Sequence, residues 1–116
     1  MTANDYLRFI VDEIHSTVVA TVDSDGLPVT YVIDMMYADE NGLYFLTAKG
    51  KNFYQRLKDK GYLALSGKKG EDTMNCTAIS VRGKVREFRK SHNIQVIFNV
   101  FKEDDHEIYK RLLGRN

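Results

Sequence analysis

The sequence predicts an α+β domain dominated by a curled antiparallel sheet. Segments rich in β-branched and aromatic residues are separated by two turn clusters, Asp23-Ser24-Asp25-Gly26 and Asp39-Glu40-Asn41-Gly42, as in a meander. The alternating stretch 77–88 is long enough for a strand that crosses a whole sheet, and Gly83 in its middle suggests a bulge or a barrel bend. Helical periodicity is confined to short stretches before, between and after these strands. With 116 residues the chain matches one domain, able to bury about two thirds of its unfolded surface.

Each element has a local reason. Tyr6, Phe9, Ile10, Glu13 and Ile14 recur at helical spacing, with Asn4 or Asp5 placed to accept from the first free amides, so a helix should end near His15. The β-branched run 17–22 reads as a first strand. Pro28 cannot donate to a ladder and should stand at the entrance of the next strand, 29–37. There Val29, Tyr31, Ile33, Met35 and Tyr37 share one face, and Thr30, Val32, Asp34 and Met36 the other. The third strand, 43–47, is expected to pair with the second.

Phe53, Tyr54 and Leu57 return to helical spacing, and Gly61 can end that helix in a left-handed conformation. Residues 62–66 read as a fourth strand, 67–75 as a polar loop and 77–88 as a fifth strand. From Ser91 the pattern turns helical through Ile94, Ile97, Phe98 and Phe101. Asp104 and Glu107 then resemble a capping box before Ile108, Tyr109, Leu112 and Leu113, so the segment 91–113 is expected to be helical.

Composition narrows the function classes. The chain is 43% hydrophobic and 28% charged, as in ordinary globular proteins. No apolar run approaches the roughly 20 residues of a membrane span, and residues 1–8 lack a signal-peptide pattern, so a cytoplasmic protein without a membrane partner is expected. A formal charge of +1 argues against nucleic acid as a partner. Cys76 is the only cysteine; no internal disulfide can form, and a small filler role is expected.

The chemistry concentrates in the turn Thr47-Ala48-Lys49-Gly50-Lys51-Asn52. There a strand delivers two ammonium groups, a hydroxyl and an amide to the start of a helix. Free amides and the helix dipole favour an anion at that place, and each charge-assisted hydrogen bond contributes about 1.5–3 kcal/mol when sheltered. A nucleoside triphosphate loop is excluded, because Phe45 stands where its first glycine belongs and Asn52 where its hydroxyl belongs. Gly67-Lys68-Lys69-Gly70 has no helix behind it and reads as a solvated loop. His15, His92 and His106 lack ligand spacing, so no metal site is expected. Asp34 must either meet water at the sheet edge or accept a hydrogen bond, with Arg82 and Lys84 as possible partners.

The segments DGLPVTYVIDMMYADENGLYFLTAKGKNFYQRL and AISVRGKVREF together resemble the pyridoxamine 5'-phosphate oxidase-like, FMN-binding split-barrel family, in its small general-stress-protein-like branch, over about residues 16–88. The resemblance implies a mainly β fold, an antiparallel split β-barrel with peripheral helices. It also implies FMN as cofactor, a homodimer with the flavin at its interface, and a nicotinamide or other small-molecule redox partner. By this likeness Val32, Ile33 and Asp34 match the stretch whose backbone lines the flavin ring. Thr47, Ala48, Lys49, Lys51 and Asn52 match the phosphate and ribityl positions. The better-known oxidases carry an arginine where Tyr31 stands and an Arg-Lys pair where Asn52-Phe53 stands, which moves the cationic duty to Lys49 and Lys51. Members of the fold commonly continue from the late helical segment into a strand that helps to finish the barrel. No strand pattern follows the expected helical segment in this sequence, up to Asn116.

The function so implied is a flavin-dependent oxidoreductase with an unassigned substrate, in which no residue identifies itself as the proton donor. The alternative is a non-catalytic flavin carrier, sensor or stress protein of the same fold. A relative that binds heme or a deazaflavin is a third reading.

Overall fold

A computed structural model of the chain describes residues 2–72, 75–90, 95–101 and 107–113. The elements are α1 (Ala3–Phe9), a π-helical turn (Ile10–Ile14), β1 (Ser16–Val22), β2 (Pro28–Asp34), β3 (Tyr37–Asp39), β4 (Gly42–Ala48), α2 (Asn52–Lys60), β5 (Tyr62–Asp72), β6 (Asn75–Lys90), β7 (Gln95–Phe101) and β8 (Glu107–Leu113). The strands form one antiparallel sheet in the order β2-β1-β5-β6-β7-β4-β3, with β8 beside β6.

The ends of that order, β2 and β3, are consecutive in the chain and separated by Met35 and Met36 alone. The sheet therefore rolls round until its two ends meet. At the joint the Met35 amide donates to the His15 carbonyl at 2.8 Å and the Met36 amide to the Tyr44 carbonyl at 2.9 Å. The two methionines thus tie opposite sides of the roll, and Met35 is fully buried.

Inside the roll, Val19, Phe45, Leu65, Ile79, Phe98 and Val100 pack against Leu7 and Ile10 from the N-terminal helix and Phe53 and Leu57 from α2. Burying each of these larger side chains stabilises the fold by about 1.5–3 kcal/mol. Gly61 ends α2 at φ 73°, the left-handed conformation that a glycine adopts without a Cβ penalty. α1 is capped by Thr2 in a capping box with Asp5. The cap thus lies before Asn4, and Asp5 occupies the reciprocal position.

Several expectations are corrected. The helical reading of 91–113 is replaced by β7 and β8, while Ser91, Ile94 and Asp104 lie outside the described residues. The spacing of Ile97, Phe98 and Phe101 suits both periods, but Phe98 and Val100, two apart, are buried, which is the period of a strand. β7 finds ladder partners on both sides, β4 and β6, and this tertiary pairing overrides the local pattern. β8 pairs Cys76–Arg82 of β6 in the same way.

The polar loop 67–75 is likewise absent: β5 continues to Asp72 and β6 begins at Asn75, because the long β6 offers a template that the lysine-rich segment follows. The expected strand 29–37 breaks at the methionine joint, and the 43–47 strand meets it through β3, starting at Tyr37 opposite Tyr44. Gly83 is not a bulge. It marks the point where β6 changes partner, from β8 up to Arg82 to β7 from Lys84 onward, and the register shift falls between Glu87 and Arg89.

Candidate functional site

β2 pairs with β1, and β4 pairs with β3 and β7, so among the described residues no ladder joins β2 to β4. The roll is open between them. A cleft of about 710 Å³ occupies this opening, walled by Tyr31, Val32 and Ile33 on β2, by Leu46, Thr47 and Ala48 on β4, and by Gly50, Lys51, Asn52 and Phe53 at the start of α2. A second hollow of about 480 Å³ shares Val32, Ile33 and Leu46 with it and adds Asp34 and Met36. The two together make one groove along β2.

The groove is polarised. At the α2 end Lys51 occupies the N-cap position without a side-chain cap, and the first turn of the helix carries no acid, so nothing there opposes the positive end of the dipole. At the other end, the Ser16 hydroxyl donates to the Asp34 carboxylate at 2.7 Å, and His15 Nε2 lies 3.7 Å from it. Asp34 is exposed and ends β2; it neither sits mid-sheet nor relies on Arg82. His15 has φ 66°, a conformation that a side-chain-bearing residue rarely adopts, and it closes the π-helical turn.

Aromatic rings continue inward from the cleft: Tyr31 and Phe53 have centroids 4.5 Å apart, Phe53 and Phe45 5.9 Å, and Phe45 and Phe98 5.8 Å. Such contacts hold α2 on the sheet and fix where its first turn points.

Of the residues singled out in the sequence, Val32, Ile33, Thr47, Ala48, Lys51 and Asn52 meet in the cleft, and Asp34 lies in its extension. Lys49 is exposed and is not part of the lining. Gly50 of the predicted turn also lines the cleft, and Tyr31, Leu46 and Phe53, which the sequence does not mark as site residues, complete the wall. Leu46 carries a signal in its surroundings: it is the outward-facing apolar residue of an otherwise buried strand. Tyr31 lies on the core face of β2, and only the helix packing brings its ring to the cleft.

Neither a protein-family model nor a curated protein matches the sequence. Solved structures do. A protein from Listeria innocua proposed to be a pyridoxamine 5'-phosphate oxidase is similar at a TM-score of 0.73 and 12% identity, over 94% of this chain and 98% of that one. The chain has the split-barrel fold. The heme storage protein HutZ from Vibrio cholerae is similar at a TM-score of 0.73 and 10% identity, over 97% and 98% of the two chains. An F420 reductase is similar at a TM-score of 0.70 and 16% identity, over 94% and 98%. In the split barrel described here the opening between β2 and β4 is the split, and the candidate site occupies it.

Proposed function

We propose that the chain binds FMN in this groove and works as a homodimeric flavin-dependent oxidoreductase of the cytoplasm. The observation that carries the reading is the continuity of the groove, from an apolar strip at Val32, Leu46 and Met36 to a cationic helix start at Lys51 and Asn52. A flavin mononucleotide has the same division, a flat tricyclic ring at one end and a dianionic phosphate at the other. The residues present fit it.

Val32, Ile33 and Asp34 would lie along the ring. β2 ends the sheet order, so one of its backbone edges has polar groups to offer a ligand. Thr47, Ala48, Lys49, Lys51 and Asn52 would hold the ribityl chain and phosphate, with the ammonium groups and first-turn amides as donors. Bound flavin would supply the hydride chemistry, and the protein would position it and exclude water. Val32 is 72% exposed, Met36 53% and Leu46 38%. A second copy seated on this apolar rim would cover them and enclose the ring. The open end of the groove would admit a nicotinamide or another small redox partner. Among the described residues no helix is long and apolar enough to cross a membrane.

A non-catalytic flavin carrier or sensor is the second reading. It is favoured by the cleft lining, which holds no carboxylate, imidazole or thiol. The visible spectrum of the purified protein, before and after FMN is added, tests the binding claim; failure to bind FMN would refute it. Reduction of the bound flavin by NADH or NADPH then separates an oxidoreductase from a carrier, and a heme or deazaflavin spectrum would replace FMN altogether.

A further inference from the structure

Tyr31 and Arg56 sit between the strand wall of the cleft and the helix that opens it. Tyr31 lines the cleft from β2 with its ring on Phe53, and Arg56, one helical turn beyond Asn52, donates a hydrogen bond to the Tyr31 hydroxyl. Both side chains are half-buried.

A guanidinium has five donors and no acceptor, so the Tyr31 oxygen is the acceptor in this pair and its own proton points away from Arg56. Among the described residues that proton has no acceptor, and the space that the residue borders is the cleft. Arg56 also has no acidic partner among the described residues, and ion pairs such as His15–Asp34, Lys58–Glu87 and Lys69–Glu13 leave it out. Asp59, the acid nearest to Arg56 in the helix, accepts from Gln55 at 2.9 Å. A hydroxyl backed by an uncompensated cation is a strengthened donor, and it suits an anion.

The geometry points to Tyr31 as a phosphate-binding residue of this cleft, its O–H donating to a phosphomonoester oxygen, with Arg56 as the positioning residue behind it. The inference rests on the FMN reading and extends it. Positive potential then reaches the phosphate from both walls, from Lys51 on the helix side and from Arg56 through Tyr31 on the strand side. The site becomes selective for a phosphorylated ligand over its dephosphorylated form. A purely structural pair, tying α2 to β2, would not distinguish the two.

Titration of the wild type, Tyr31→Phe, Arg56→Gln and Arg56→Lys with FMN and with riboflavin tests this, together with thermal unfolding in inorganic phosphate. Phenylalanine keeps the ring on Phe53 and removes only the O–H. The wild type should prefer FMN; Tyr31→Phe and Arg56→Gln should each weaken FMN about tenfold while moving riboflavin by less than about twofold. Arg56→Lys should recover part of the loss, and Tyr31→Phe should shrink the rise in Tm that phosphate gives the wild type. Equal losses for both flavins, or an unchanged FMN affinity in Tyr31→Phe, would overturn the assignment; should that variant not fold, the FMN to riboflavin ratio in Arg56→Gln decides in the same way. A wild type without preference for FMN over riboflavin would instead overturn the phosphate reading of the whole cleft, and with it this one, before any substitution is made.

Discussion

A β-carbon placed on Gly67 would lie 2.5 Å from Cγ2 of Ile14. β5 and the π-helical turn therefore meet where only a hydrogen atom fits. Cγ2 sits on the branched carbon of isoleucine and cannot swing aside without turning χ1. Gly67→Ala should lower stability by about 1–3 kcal/mol, the usual range for overpacking, and this should be read as a lower midpoint in urea with an unchanged slope. An unaltered midpoint would mean that the turn slides away from β5 at no cost.

The two lysines of the turn should differ. Lys51 lines the cleft at the N-cap position of α2, whereas Lys49 lies outside the lining. Lys51→Ala should weaken FMN by about tenfold or more, and Lys49→Ala by less, because only Lys51 borders the cleft in which the phosphate would lie. Riboflavin, which lacks the phosphate, should bind nearly as before to both variants. Calorimetric titration checks each value, and equal losses for FMN and riboflavin would remove the phosphate from this turn.

Val32 reports on the oligomer. As an exposed residue of a single copy it can be replaced at little cost to folding. Under a second copy, the same position would bury a charge. Val32→Asp should therefore halve the mass measured by light scattering while the circular dichroism spectrum stays that of the wild type. A wild type that is already monomeric would contradict the dimer directly.

Tyr44 gives a pH dependence. Desolvation by burial, followed by the negative charge of Asp39, pushes its hydroxyl above the ordinary tyrosine value. A raised folded-state pKa makes the folded chain hold its proton more tightly than the unfolded one. The associated stability is fully present below the unfolded pKa of about 10 and is lost as pH rises through the folded value. Tyr44→Phe has no proton to lose, so its Tm should fall less steeply than that of the wild type between about pH 9 and 11. Parallel curves would show that the hydroxyl does not couple to folding.

Much of the fold was legible because turn and cap chemistry is local. Gly61, Pro28 and the Asp-Gly and Asn-Gly turns stand where their backbone preferences place them, and the apolar triad Phe53, Tyr54 and Leu57 faces the core. The late strands were not legible. A seven-residue segment such as Gln95–Phe101 offers hydrophobic positions that suit either period, and only its pairing with β4 and β6 decides. The candidate site divided in the same way. Thr47, Lys51 and Asn52 are neighbours in sequence and could be grouped from the turn alone. The Tyr31–Arg56 contact joins positions 25 residues apart and depends on how α2 lies across the sheet.

The split barrel also fixes when the groove can exist. Its two walls belong to strands that are close in the chain yet are wired together through β1, β5, β6 and β7, and β7 ends at Phe101. β4 therefore finds its second ladder partner only in residues 95–101, and without that strand the turn, both lysines and the helix would stand beside an unsupported wall with no groove to hold a ligand.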